Sequence, residues 1–531
     1  MRIFDTSGLR PTDKLSANEA SWIYNGLDCC VTLEVRDKLR EQIETELPEV
    51  QQTYATAMEK LAPTNYMNIR GLLVNEPARQ YAIREYSRDL MILQDRFNTL
   101  MTETVGYTIN WRSPLQLRSL FYDTFRLRPV RKRNAKGEFA PTVNADALEK
   151  FCEYLYPQVY ARYILAMRDL GKKISFLETE VDPDGRMRTS LNIAGTDTGR
   201  FSSKFSAFGS GSNLQNVEDR LRAVFKADPG KVFVNVDLEQ ADARNVGARI
   251  YQIFYDEFGP EIAGRYLDAC ESGDLHTQVT RMVWPTLGWT GNLKEDKEIA
   301  EQPFYREHSY RDMSKKLGHG TNYFGTPPTM ARHAKVEVYI IEAFQRKYFE
   351  AFPLIGNYDK RLDQRDWHSW VQQQLREVGS LTNLFGRRRI FFDRYQDQNT
   401  LRAAIAYDPQ SNTGEELDRG WLNLWRNMPE AELLLPVHDS ILFQLPYEGL
   451  EELLPRALDL LKVTIELKGG RKFSVPLEAA VGWNWAKSRL NKKTGLWENV
   501  YGLRKWTGKE DREPPAEGRS RFSAVMGRRL R

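Results

Sequence analysis

The segment that most constrains this chain is Lys231 to Arg249, KVFVNVDLEQADARNVGAR, in which an apolar alternating run ends on a carboxylate. Val232, Val234 and Val236 recur at a spacing of two, which predicts a buried strand with Asp237 at its edge and a polar, Ala-containing helical segment after it. An aspartate in that place serves either as a cap for the following helix or as an acid able to hold a metal. A second apolar run, Leu433 to Leu445, is interrupted by His438, Asp439 and Ser440 and then resumes, the pattern of a hairpin whose turn exposes His438 and Asp439. Two carboxylates buried side by side are unfavourable unless cations neutralise them. Two ions about 3.5–4 Å apart can clamp the attacking and leaving oxygens of a phosphoryl displacement. Read singly, Asp237 is equally a helix cap and His438-Asp439 a satisfied turn.

A third stretch lies between these two. In RDMSKKLGHGTNYFG, Arg311, Lys315, His319 and Tyr323 recur every four residues, so a helix would carry them as one slowly drifting stripe. Two cations followed by an aromatic suit a nucleoside triphosphate, with charge on the phosphates and a ring beside base or sugar. A solvated helix face is the other reading.

Together and in order, these stretches resemble motifs A, B and C of the family A DNA polymerases, the DNA polymerase I type. DLEQADAR stands for the family's DYSQIELR, R-x3-K-x7-Y for motif B, and VHDS for VHDE. Further blocks agree: TGRFSS followed by Asn213, Leu214, Gln215 and Asn216; DLHT at Asp274 to Thr277; LFGRRR at Leu384 to Arg389; and VPLE with Val481 and Gly482. The resemblance covers roughly residues 60 to 485. It implies an α+β, right-hand polymerase fold with an antiparallel-sheet palm, a helical thumb and helical fingers. The expected order is an exonuclease-domain remnant at 1–45, a thumb at 46–195 with a short palm segment near 60–75, palm at 196–255, fingers at 256–417, palm again at 418–486, and a basic extension at 487–531.

The same resemblance implies site roles. Asp237 and Asp439, with the backbone carbonyl of Leu238, would hold two Mg2+ ions, with Mn2+ as an alternative. His276, Arg311, Lys315, His319, Tyr323, Gln240 and Asp242 would surround a dNTP. Arg200, Asn213, Gln215, Asn216, Arg244, Arg387, Arg388, Gln410 and His438 would contact primer–template DNA. Amide side chains such as Asn213 and Gln215 suit a sequence-blind check on the minor groove, although Asn is also a common turn former. Departures from the family pattern fall on the sugar. Asp242 is one methylene shorter than the family's ribose-excluding Glu, His319 replaces an aromatic, and Ser440 replaces the second acid of motif C. The expected activity is primer extension with deoxynucleotides. The alternatives are a single-subunit RNA polymerase or ribonucleotide-tolerant enzyme, and a catalytically degenerate replication scaffold that only binds DNA.

Composition sets the remaining bounds. The chain has 531 residues, 41% of them hydrophobic, which supports several domains with real cores. No apolar run approaches membrane length and the N-terminus lacks an apolar signal segment, so a soluble protein of the cytoplasm, or of a host's cytoplasm if viral, is expected. The formal net charge is +4. From Lys487 onward 13 Lys and Arg face 5 Asp and Glu, a local +8 that leaves the rest of the chain near −4, so attraction to nucleic acid must come from local patches.

Tyr24 and Asp28 resemble the third motif, Y-x3-D, of a 3′–5′ proofreading exonuclease, without room upstream for the first two. A remnant helix packed under the palm is expected, and a separately encoded chain completing the exonuclease site is the alternative partner. Glu49 to Leu61, Glu76 to Met101 and Asn144 to Lys173 read as helices, and Arg128 to Lys136 as a basic loop between helices. Lys204 to Ser212 is longer and richer in Gly and Ser than the family pattern, with no assigned role. Gly318 and Gly320 imply a close approach or mobility in motif B. The tail after Trp485 reads as a basic, partly disordered extension.

Overall fold

A five-stranded antiparallel sheet organises the molecule, in a computed structural model that describes residues 15–46, 48–133, 137–305, 308–491 and 496–515. Its strands are β1 (Lys231–Leu238), β2 (Glu432–Val437), β3 (Ser440–Pro446), β4 (Leu477–Gly482) and β5 (Arg504–Lys505), ordered β2-β3-β1-β4-β5. β1 is the centre. It pairs Val236 with Ile441 and Val234 with Phe443 on one side, and Val236 with Ala479 and Val234 with Val481 on the other. The alternation in β1 holds over most of its length: Val232, Val234, Val236 and Leu238 are buried, whereas on the other face only Phe233 is, with Lys231 and Asn235 half-buried and Asp237 exposed.

Seven helices matter for the site: α1 (Ala17–Thr45), α2 (Glu76–Thr104), α3 (Pro157–Leu177), α4 (Ala241–Glu271), α5 (Leu275–Val283), α6 (Tyr310–Asn322) and α7 (Gln398–Asn427). α2 and α3 carry a separate core with Phe97, Met101, Phe121, Phe151, Tyr160 and Ile164, while the sheet, α4, α6 and α7 share the large one. The α4 run is interrupted at Gly259 (φ 75°) followed by Pro260, because proline cannot donate to the preceding turn. The mixed α+β class is as the sequence implied. No described helix is long and apolar enough to cross a membrane.

Several expectations need correction. The helix expected at Asn144–Lys173 is two, Ala145–Phe151 and α3, because Pro157 starts a new N-terminus. The expected basic loop is a hairpin, with Arg131–Arg133 paired to Phe139–Pro141; residues 134–136 lie outside the described residues. The strand near 72 joins Arg186–Met187 in a ladder of its own and leaves the main sheet alone. The 256–417 region also contains two short ladders, Pro303–Tyr305 with His308–Ser309 and Ser380–Thr382 with Arg388–Ile390. α1 is helical but packs under nothing, for none of its residues is buried. Tyr24 and Asp28 are exposed on it, and among the described residues no group of three or more His, Cys, Asp or Glu could hold a metal.

The tail also departs from expectation. Residues 487–491 and 496–515 are described, and β5 extends the main sheet through Val481–Arg504 and Ala480–Lys505 pairs. Arg512 donates to the carbonyls of Val500, Gly502 and Val481 at 2.7–2.9 Å, and Arg504 stacks over Trp497 at 3.9 Å. Arg504 and Arg512 meet a ring and backbone carbonyls, and Arg489 and Lys505 pair with Asp219 and Glu478, where composition alone reads a solvated tail. Residues 516–531 lie outside the described residues.

α7 runs through the interior and carries buried charge. Lys60 donates to Asp418 at 2.6 Å with both side chains almost fully enclosed, and the Trp421 indole donates to the same carboxylate at 3.0 Å. This pair fastens the residue 48–70 helices to α7. Removing one partner strands a charge in the core, at a cost of about 3–5 kcal/mol. Lys60→Met is therefore expected to lower unfolding free energy by about that amount in urea titration, whereas the double variant Lys60→Met/Asp418→Leu recovers most of the loss.

Candidate polymerase active site

The antiparallel register sets the site. Asp237 faces Ser440 on β3 and Glu478 on β4, since directly paired residues share a face of the sheet. The β2–β3 turn is closed by His438 in the left-handed region (φ 53°), and the Leu238 amide donates to the Asp439 carbonyl at 3.0 Å, so the turn is pinned beside the end of β1. Asp237 and Asp439 thus lie side by side. Asp237 is the exposed residue of β1, yet partial desolvation by the protein around its carboxyl pushes it up to about 6, with the charge of Asp439 adding to it. Asp439 is also raised by burial, against the pull of Arg200.

Arg200 spans the cleft, 2.8 Å from Asp439 and 3.2 Å from Asp242. Thr413 on α7 donates to the same Asp242 oxygen at 3.2 Å. Tyr323 lies close by, its hydroxyl pushed well above the ordinary phenol range by burial and then by Asp242. Gln240 adopts a left-handed backbone (φ 56°) at the start of α4, turning the chain sharply from strand to helix between Asp237 and Asp242.

The stripe expected on α6 forms. Met313, Ser314, Leu317 and Gly318 are buried, leaving Lys315 and His319 exposed on the opposite face with Arg311 and Tyr323 half-exposed. Arg311 makes two bonds of 3.1 Å to Asp274, which fix its guanidinium at the start of α5. There it holds the Asp274 carboxyl below its usual range despite burial. His276, one turn along, falls to about 4 through burial and then the charges of Arg311 and Lys315. It is therefore a neutral imidazole at neutral pH. His319 and Tyr323 meet edge to face, ring centres 4.6 Å apart. The two motif B glycines differ: a Cβ on Gly318 would make ordinary contact with Tyr348 at 3.6 Å, whereas one on Gly320 would crowd the terminal methyl of Met330 at 2.9 Å.

Other predicted residues divide. Gln215 donates to the Pro436 carbonyl at 2.9 Å, and Asn213 caps the short turn that carries Gln215, so both also position the strand leading to Asp439. Asn216, Arg388 and His438 are exposed and Gln410 is half-buried. Arg387 donates to Glu415 at 2.6 Å and its guanidinium lies against Gly199, where a Cβ would come within 2.6 Å. Arg244 is a correction. It is 4% exposed and donates to the Glu239 carbonyl at 3.0 Å, so its charge fastens the strand-to-helix turn and is out of reach of DNA. Ser440 is likewise occupied, its hydroxyl donating to Val437 at 2.9 Å within the hairpin. Sequence reading missed Glu478, which is brought beside Asp237 only by the β1–β4 register.

With this geometry in place, the comparisons are informative. A family model described as DNA polymerase family A matches residues 80–283 and 294–487. The chain belongs to that family. This family A chain is 25% identical over 446 residues to the thermostable DNA polymerase I of Thermus filiformis, covering 80% of the chain and 47% of that protein. To the DNA polymerase I of Synechocystis sp. it is 24% identical over 515 residues, covering 89% of the chain and 46% of the relative. The family A chain thus spans just under half the length of either. Among solved structures it resembles the POL domain of Pol1 from M. smegmatis in complex with DNA primer-template and dNTP, with a TM-score of 0.62 and 20% identity over 80% of this chain and 70% of that one. That likeness concerns the fold.

The raised Asp237 carboxyl has a testable consequence. A carboxyl disfavoured in its charged form destabilises the folded state above its folded pKa, and the penalty vanishes below the ordinary carboxylate range. Asp237→Asn is therefore expected to raise Tm at pH 8 and to leave it unchanged at pH 2.5, read by calorimetry at both values. Equal Tm at pH 8 would remove the electrostatic crowding inferred for this pair.

Proposed function

We propose that this protein is a template-directed DNA polymerase that adds deoxynucleotides to a primer 3′-OH. The observation that carries the reading is the pairing of Asp237 and Asp439 on adjoining strands opposite the cationic face of α6, within a chain of DNA polymerase family A.

The carboxylate pair fits divalent metal. Two like charges are crowded together, with Arg200 paired to Asp439 and the charge of Lys487 acting on Asp237. Asp237, Asp439 and the Leu238 carbonyl would hold two Mg2+ ions, which when bound lower the pKa of the attacking hydroxyl and neutralise the phosphates. This chain's own residues supply the rest. Arg311 and Lys315 present positive charge to the leaving pyrophosphate, with Arg311 held in place by Asp274. His276, being neutral, can donate a hydrogen bond to a phosphate oxygen without adding charge. His319 and Tyr323 form a wall for base and sugar. Asp242, tied to Arg200 and Thr413, stands where the family pattern excludes a ribose 2′-OH. Since Arg200 bridges Asp242 and Asp439, metal entry and primer binding require it to release at least one of them.

Primer–template DNA and dNTPs are the partners this reading requires. The sheet serves as palm, α2 and α3 as thumb, and α5 and α6 as part of the fingers.

Extension of a 5′-labelled primer in Mg2+, with dNTPs and rNTPs in parallel, tests the proposal. Wild type is expected to extend with dNTPs, and Asp439→Ala to lose at least about 100-fold in single-turnover rate, the scale of removing a principal electrostatic contact. Primer–template affinity should stay within about tenfold. Asp242→Ala is expected to increase rNTP use relative to dNTP. Absence of any extension by wild type at saturating Mg2+ would overturn the proposal.

A further inference from the structure

Folding ordinarily hides phenylalanine and leaves serine at the surface. The segment Lys204–Ser212 does the reverse. Ser206 and Ser210 are buried, while Phe205 and Phe208 are 69% and 64% exposed. The inversion is built into the backbone. The Ala207 amide donates to the Ser190 hydroxyl at 2.9 Å, the Phe208 amide to the Ser206 hydroxyl at 3.2 Å, and the Ser206 amide to the Ser210 carbonyl at 3.2 Å. The Ser210 hydroxyl donates to Asp182. Gly211 has φ +73°, and a Cβ there would lie 2.0 Å from the Arg188 carbonyl, so the loop is pressed against its neighbour as only glycine permits. Polar anchors thus hold two rings outward.

Phe205 faces a cavity of about 1240 Å³ bounded by α2, α3 and the segment Asn110–Arg112. Arg112, Arg168 and Lys172 line it against one acid, Glu178. Arg112 lies over the Trp111 ring at 4.8 Å and Lys172 is exposed, so both can reach a ligand. The loop is tied to the carboxylate site at both ends. Its first residue closes the strand Ser202–Lys204, which begins two residues after Arg200, and its last precedes Asn213 and the Gln215 bond to β2. Cations beside an exposed ring on a fixed mount match a nucleic-acid strand, with phosphates on the cations and sugars and base faces on the ring.

We propose that Lys204–Ser212 is a duplex-gripping strap: Phe205 and Phe208 press into the minor groove of primer–template DNA behind the primer terminus while Arg112 and Lys172 take phosphates of one strand. Apolar side chains entering a minor groove about 6 Å wide are a known physical solution to holding a duplex without reading its sequence. The inference rests on the reading that the chain extends primed DNA, and adds to it a contact made by a loop outside the family's motif pattern.

The test uses the full chain and a fluorescein-labelled primer–template. Phe205→Ala/Phe208→Ala is expected to weaken Kd by about tenfold or more in anisotropy titrations, on the scale of losing an aromatic–nucleotide contact. Its single-turnover extension rate at saturating DNA should stay within about twofold of wild type. Arg112→Gln and Lys172→Gln should each reduce the slope of log Kd against log salt by about 1. Since the rings are exposed, the double variant is expected to melt within about 2 °C of wild type, and loss of folding would contradict a solvent-facing role. Wild-type Kd in the double variant, or unchanged salt slopes, would overturn the strap. If wild type extends primers and the double variant binds as wild type does, only the strap falls; if wild type neither binds nor extends, the polymerase reading falls as well.

Discussion

Holding two carboxylates side by side costs free energy, and much of this molecule can be understood as the means of doing so. The antiparallel pairing of β1 with β3 fixes where Asp237 stands, and the Leu238–Asp439 backbone bond at 3.0 Å fixes the turn beside it. Neither contact involves the carboxylates themselves. The repulsion is therefore borne by a ladder in which β3 is buried on both faces through Ile441, Leu442 and Phe443 and β1 contributes the buried Val232, Val234 and Val236. Apolar burial in the sheet offsets electrostatic strain at its edge.

Cations are arranged around that edge at graded distances. Arg200 touches Asp439 directly, whereas Arg311 is kept on Asp274 and Lys315 stays exposed on the opposite wall. Arg311 is thus pre-positioned at little further entropic cost, because its planar fork is already held in two bonds. Lys315 retains its rotamer freedom. Between them His276 is kept neutral by burial and by those same charges, so a hydrogen-bond donor is available without a third positive charge.

A second group of polar contacts lies deeper. Along α7, Asp408 pairs with Arg249, Glu415 with Arg387, Glu416 with Asn245 and Asp418 with Lys60. These contacts join α7 to α4, to the Arg387 turn and to the N-terminal helices. Glu416, raised by burial to about 8 against the bond from Asn245, is protonated at neutral pH. The helix beneath the cleft is therefore held by directional contacts, which fix its rotation more sharply than apolar packing would. That matters because Thr413, on the same helix, sets Asp242.

Much was determined by sequence alone. The strand ending at Asp237, the hairpin exposing Asp439, and the α6 stripe of Arg311, Lys315 and His319 follow from periodicities of two and 3.6, which are local properties of the chain, while the α+β class was implied by the motif resemblance. The tertiary structure decided what local patterns cannot encode. Glu478 beside Asp237, Arg200 across Asp242 and Asp439, and the pairing of Arg504–Lys505 with the sheet each depend on partners separated by tens to hundreds of residues, and the inward turn of Arg244 depends on its burial. A charged side chain reads the same in sequence whether it meets water, a carbonyl or a carboxylate. Only the packed chain chooses among them, because each choice is set by burial and by the neighbour that burial supplies.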